Sequence, residues 1–322
     1  MPSRLTFFYT ITLLLWVSCA TAQVVRKHVF PRTQAINLPG SDGFPAKRTI
    51  YQLNPVSNAP CGLLVLLPGR GEPASDVFRA TSLAQQAAQQ GFVVAVPALN
   101  DRRYLDSAST RFLDDVLGML VQQYPLLAHR LVVGGFSAGG QLAVAYAEQL
   151  VRDSTQHPWR VRAVLGVDPP LDLTEHWQRA ALHLAKQDCA AFRASDQNTL
   201  RELTRDMGGS PAQFPAAYLA QTAFSRSDPT GGNAKWLTRL PIRLYCEPDL
   251  DFWRQTCPTL EPADFNAEGA AALITHLQSQ GNTRAQYIQT TGKGFSKKRR
   301  MPHSWSIVDA PECAAWMRRC LN

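Results

Sequence analysis

Unbroken apolar runs recur along this chain, separated by stretches whose apolar residues return every third or fourth position. Residues 62–67 read Gly-Leu-Leu-Val-Leu-Leu, the pattern of a strand buried on both faces. Residues 92–96, 129–133, 161–167, 242–246 and 285–289 predict five further strands, and 34–38 and 48–53 predict two at an edge. Helical spacing covers 76–90, through Val77, Leu83 and Ala87, and 110–123. It returns after residue 137, through Leu142, Ala145, Tyr146 and Leu150, and again at 270–280 and 310–319. Strands that alternate with helices over the whole length predict an α/β fold, a mostly parallel sheet flanked by helices on both faces.

Residues 171–240 break that rhythm. The interval is helix-rich, holds no convincing strand, and ends in the turn-rich Ser-Asp-Pro-Thr-Gly-Gly-Asn of 227–233. It reads as a helical insertion folded over the carboxyl edge of the sheet, a lid. Its Trp177, Phe192, Phe214, Tyr218 and Phe224 offer an apolar pocket wall, although most of these rings are expected to pack the insertion onto the sheet. Neither an internal repeat nor a linker marks a second domain, so 23–322 reads as one domain.

The amino terminus changes the picture of where this domain works. Arg4, the apolar run 5–17 and the small residues Ala20-Thr21-Ala22 before Gln23 predict a secretory signal peptide over 1–22. The run is short for a spanning helix. Cys19 offers the alternative of a lipoprotein anchored at that residue, the one route by which this chain is expected to meet a membrane. Removing 1–22 takes the formal charge from +8 to +7, because only Arg4 is lost. Lys293, Lys297, Lys298, Arg299 and Arg300 concentrate part of that excess. No recognition motif or aromatic platform accompanies them, so a nucleic-acid partner is not expected. The run reads first as a solvated basic loop, with an electrostatic pull on anionic substrates as the sharper alternative.

Export also changes how the cysteines read. Cys61, Cys189, Cys246, Cys257, Cys313 and Cys320 remain after cleavage, in a compartment that permits disulfides, and no pair has zinc spacing. Cys313 and Cys320, seven residues apart on one helix, stand about 10 Å apart and are not expected to pair. Cys246 with Cys257 is one possible bridge, and spacing does not fix the connectivity.

The chemistry centres on Gly135-Phe136-Ser137-Ala138-Gly139. It joins a buried strand to a helix, the context of a nucleophile elbow, in which a sharp turn exposes a serine hydroxyl. Such a serine needs a base, and the base needs an orienting acid. His28 and His129 precede the serine and His157 follows it too soon. His176, His183 and His276 fall on predicted helices, where packing or surface roles are expected. His303, on a polar loop before the last helix, remains as the base. The acid is expected after the strand at 242–246: Asp249 first, Asp251 as runner-up, Glu247 third. Asp168, in Val-Asp-Pro-Pro, is expected to shape the turn into the insertion, with an acid's role only in a rearranged site. The backbone N–H groups of Ala138 and Arg70, the latter in Pro-Gly-Arg-Gly, are the expected oxyanion donors.

With these motifs the chain, from Gly62 to Trp316, resembles the α/β-hydrolase superfamily, of the secreted bacterial esterase or prolyl-oligopeptidase-like kind. The resemblance implies hydrolysis of a small-molecule ester or acylated substrate without a metal or organic cofactor. Pro68 stands where many relatives carry His, and Cys-Glu-Pro-Asp replaces the commoner Gly-x-x-Asp of the acid turn. A peptidase on the same residues and a non-catalytic binding protein are the competing readings. The peptidase would want a site for a peptide amino terminus and usually an added domain, for which this chain is short.

Overall fold

A computed structural model describes residues 24–30, 49–56, 59–99, 102–187 and 189–322. The expected signal peptide with Cys19, and the expected strand at 34–38, lie outside the described residues. Eight strands form one sheet in the order β1-β2-β4-β3-β5-β6-β7-β8. These are β1 (Val25–Val29), β2 (Thr49–Leu53), β3 (Gly62–Leu67), β4 (Phe92–Pro97), β5 (Leu131–Phe136), β6 (Val161–Val167), β7 (Ile242–Cys246) and β8 (Ala285–Gln289). β1 and β2 run antiparallel to their neighbours, and every pairing from β4 across to β8 is parallel.

Alternation along β3 explains why its run is wholly apolar. Leu64 and Leu66 join one core with Leu83 and Ala87 of α2 (Leu83–Gln89) and with Trp316 and Met317 of α10 (Ala310–Cys320). Leu63, Val65 and Leu67 point the other way. They meet Phe112 and Val116 of α3 (Ser107–Gln123) and Leu142 and Tyr146 of α4 (Ala138–Arg152). Further along that face, α9 (Asn266–Ser279) sets Leu273 and Leu277 against Leu244 of β7.

The single helix expected over 76–90 is broken. Thr81 is extended at φ −144° and ψ 149° after α1 (Val77–Ala80), and its hydroxyl accepts the Leu83 N–H at 3.1 Å. A threonine side chain that competes for backbone N–H groups ends one helix and starts the next.

Between β6 and β7 the insertion supplies α5 (Leu173–Lys186), α6 (Arg193–Met207) and α7 (Pro215–Gln221). Leu173, Leu203, Met207 and Tyr218 give it a small core of its own. Cys189, between α5 and α6, is disulfide-bonded to Cys257, just past α8 (Leu250–Arg254). Cys246 is buried as a free thiol, and Cys313 and Cys320 do not pair. The basic run is a hairpin of β9 (Phe295–Ser296) and β10 (Arg299–Arg300). Lys297 and Lys298 form its turn at φ 48° and 66°, the positive values that a tight two-residue hairpin turn requires.

Candidate active site

Ser137 sits between β5 and α4 at φ 53° and ψ −124°, a conformation that non-glycine residues hold only where the surroundings enforce it. Those surroundings are two close backbone approaches. A Cβ at Gly135 would run into the Gly139 carbonyl, and one at Gly139 into the carbonyls of Leu67 and Pro68. The Ser137 N–H donates to Val167 O at 2.8 Å, which ties the turn to the end of β6.

His303 lies on the loop before the short turn Trp305–Ile307. Its Nε2 is 3.0 Å from Ser137 Oγ, and its Nδ1 is 2.5 Å from Asp168 Oδ2. The ring rests against Phe136, with centroids 4.7 Å apart. Serine, histidine and a carboxylate therefore form one continuous chain, and the carboxylate belongs to Asp168.

The expectation for Asp249 is thereby corrected. Its Oδ1 caps α8 by accepting the Phe252 N–H at 3.0 Å, and its Oδ2 pairs with Arg300 at 2.5 Å. Asp251 is exposed on α8. Glu247 is buried against Thr290 Oγ1, the backbone N–H groups of Lys293 and Gly294, and Arg300. Burial alone would push its carboxyl up, and these four partners outweigh that and hold it below the usual range. The pairing register explains the outcome. Phe136 faces Val167, and Val167 faces Tyr245. The residue after Val167 is thus beside Ser137, whereas 249 lies four residues past the paired Tyr245 and one strand further out. Asp168 is also turned by a positive φ of 48°, and its N–H donates to Tyr245 O at 2.7 Å. The sequence signal was a carboxylate directly at a strand end before two prolines.

Ala138 opens α4, so its N–H has no partner within the helix. Arg70 lines the same cavity as Ser137 and Ala138. The Arg70 loop is held by Glu72, which sequence reasoning passed over. Glu72 Oε2 accepts from Gly69 N at 2.9 Å and from Trp305 Nε1 at 3.0 Å, joining this loop to the one that carries His303. Burial raises the Glu72 carboxyl above its ordinary value.

The cavity over Ser137 and His303 measures about 350 Å³. Of the five aromatic residues that the insertion offers as a wall, most of them expected to pack instead, Phe192 lines the cavity, joined by Trp253 and Phe265. Tyr218 and Trp177 pack the insertion's own core, Phe224 packs a core beneath, and Phe214 is exposed. His176 and His183, expected in packing or surface roles, both line the cavity. His183 is set between Asp196 and Asp264, at 3.3 and 3.1 Å, and its pKa is raised, foremost by the Asp196 hydrogen bond.

This sheet, its elbow and the helices around it are the α/β-hydrolase fold. Among solved structures, carboxyl esterase 2 from the mycorrhizal fungus Tuber melanosporum is similar at 13% identity, with 95% of this chain and 88% of that one covered and a TM-score of 0.55. A bacterial heroin esterase is similar at 16% identity over 94% and 86% of the two chains, with a TM-score of 0.54. An S-formylglutathione hydrolase from Agrobacterium tumefaciens is similar at 13% identity over 94% and 99%, with a TM-score of 0.52. No protein-family model matches the sequence, and no curated protein does.

Proposed function

We infer that this protein is an exported serine hydrolase that cleaves carboxylic esters through an acyl-enzyme. The observation that carries the reading is the Ser137–His303–Asp168 chain at 3.0 and 2.5 Å, set on a strained elbow. His303 Nε2 takes the Ser137 proton as Oγ attacks the ester carbonyl, and then delivers it to the leaving alcohol. Asp168 holds the Nδ1–H and stabilises the imidazolium that forms. The N–H groups of Ala138 and Arg70 receive the developing oxyanion. Water, activated by the same histidine, releases the acyl group. The esterases among the similar folds favour an ester over other acyl substrates.

Export rests on the signal sequence of 1–22, and the Cys189–Cys257 disulfide fits an oxidising compartment. The mature chain is expected to begin at Gln23; an N-terminus at a lipidated Cys19 would replace secretion with anchoring.

Labelling by a fluorophosphonate probe, with turnover of short aryl esters, tests the reading. Ser137→Ala should abolish labelling and lower kcat on the order of 10⁴- to 10⁶-fold. Labelling that survives the substitution, or a parent protein inert toward every ester, would overturn it.

A further inference from the structure

Three guanidinium groups line the cavity, Arg70 and Arg103 from loops after β3 and β4 and Arg179 from the insertion. Arg70 Nη2 and Arg103 Nε each lie 2.6 Å from a different oxygen of Glu202, so two guanidinium groups share this carboxylate. Arg103 Nη1 is 3.5 Å from His176 Nε2, and Arg179 Nη2 is 3.1 Å from His176 Nδ1. With burial and a guanidinium at each ring nitrogen, His176 is held well below its ordinary pKa, so the ring is a neutral spacer between two cations.

Arg179 stands out within this group. Its hydrogen bonds run to neutral partners, His176 and Asn266 Oδ1, the latter at 3.1 Å. Among the described residues no carboxylate forms an ion pair with it. The carboxylates whose charge reaches it, Asp264, Glu175, Asp168 and Asp196, each make their close contact elsewhere: Asp264 and Asp196 to His183, Glu175 to Arg226, Asp168 to His303. A guanidinium withdrawn from water without a matched anion is costly, and a planar carboxylate meets its paired donors well. Asn266 also fixes where it points, because its Nδ2 donates to Asp168 O at 2.9 Å. One side chain thus separates Arg179 from the backbone of the acid that orients His303.

Building on the ester hydrolase reading, we propose that Arg179 is a substrate-binding residue and that the substrates are small esters bearing a free carboxylate, held by Arg179 while Ser137 attacks the ester. The cavity of about 350 Å³ suits a small molecule. The basic hairpin is not assigned this selectivity: Lys297, Lys298, Arg299 and Arg300 are not among the residues lining the cavity, and Arg300 is engaged by Glu247 and Asp249.

The test compares the p-nitrophenyl half-ester of glutaric acid with p-nitrophenyl pentanoate, matched in length and differing in charge. The parent should favour the half-ester at least tenfold in kcat/KM, and Arg179→Gln should reduce that ratio at least tenfold, with Arg179→Lys between. A parent ratio of one or below, or equal losses on both esters in Arg179→Gln, overturns the proposal. Should Arg179→Gln fail to fold, glutarate and glutaramide as inhibitors of pentanoate hydrolysis by the parent decide it: stronger inhibition by glutarate supports the subsite, and equal inhibition overturns it. A parent that hydrolyses neither ester removes the hydrolase reading. Calorimetric titration with glutarate then judges the subsite alone: saturable heat upholds it and its absence overturns it.

Discussion

Asp168 and Ser137 are neighbours at the carboxyl edge of the sheet because Phe136 and Val167 face each other in the β5–β6 register. Each residue is the first past a paired position, and each adopts a positive φ, 48° and 53°. Two adjacent strand ends turned out of their ladders place a hydroxyl and a carboxylate on either side of one imidazole. At the elbow, the sheet and the glycines flanking Ser137 oppose release of this strain.

This geometry ranks the acids. Asp168→Asn should lower kcat on ester substrates by about 10⁴-fold with the fold retained, because the amide no longer orients the imidazole in the reactive tautomer. Asp249→Ala should spare most of kcat and lower stability by about 1 kcal/mol through the lost cap of α8. Steady-state kinetics with circular dichroism on both variants checks the pair; the opposite ranking would return the role to Asp249.

Glu72 should act on the reaction through the loops it joins. Glu72→Gln is expected to reduce kcat by about 10- to 100-fold, a cost in keeping with slight misplacement of a reacting group. Trp305→Phe removes the same hydrogen bonds from the other side. The double variant should lose little more than the worse single one, since both sever one connection. Additive losses would show that the two residues work independently.

The disulfide should govern the stability of the insertion against the sheet. Cys189 and Cys257 are 68 residues apart in sequence, and releasing a loop of that size corresponds to about 4 kcal/mol in the chain-entropy account. Changing both to Ser should lower the melting temperature, and dithiothreitol should lower it in the parent and leave the double variant unmoved. A reductant that destabilises both alike would point to another cause.

Glu148 should make stability pH-dependent. It is buried in α4, its Oε1 has no hydrogen-bond partner among the described residues, and burial raises its carboxyl well above the usual value. A raised folded-state pKa means that the folded protein holds this proton more tightly than the unfolded chain. The stability so gained is complete below the unfolded value of about 4.3 and is lost as pH rises through the folded one. Glu148→Gln removes that titration, so the variant should gain on the parent as pH rises from 4 toward 9 in denaturant melts (about 4 and 9 being the span around ordinary carboxylate and buried-acid values). A constant difference across the series would refute it.

The sequence by itself determined the layers and the elbow around Ser137. The unbroken run of β3 and the spaced apolar residues of α3, α4 and α10 can satisfy burial only as a sheet covered on both faces. Gly135 and Gly139 flank a serine where a Cβ would strike backbone, so the elbow is written in local residue choice. His303 was the histidine expected beside the serine, because the others lay on elements or in positions unsuited to it, and its Nε2 stands 3.0 Å from Ser137 Oγ. The partner of that histidine was decided by tertiary structure alone. Asp168 and Asp249 both follow strands and precede turns, and only the register across β5, β6 and β7 sets one beside Ser137 and the other against Arg300. The Cys189–Cys257 bridge and the meeting of Arg179, His176 and Asn266 likewise join segments far apart in the chain. Strand periodicity fixes which face a residue points to. It does not fix which strand end lies next to which, and the site was assembled from that second relation.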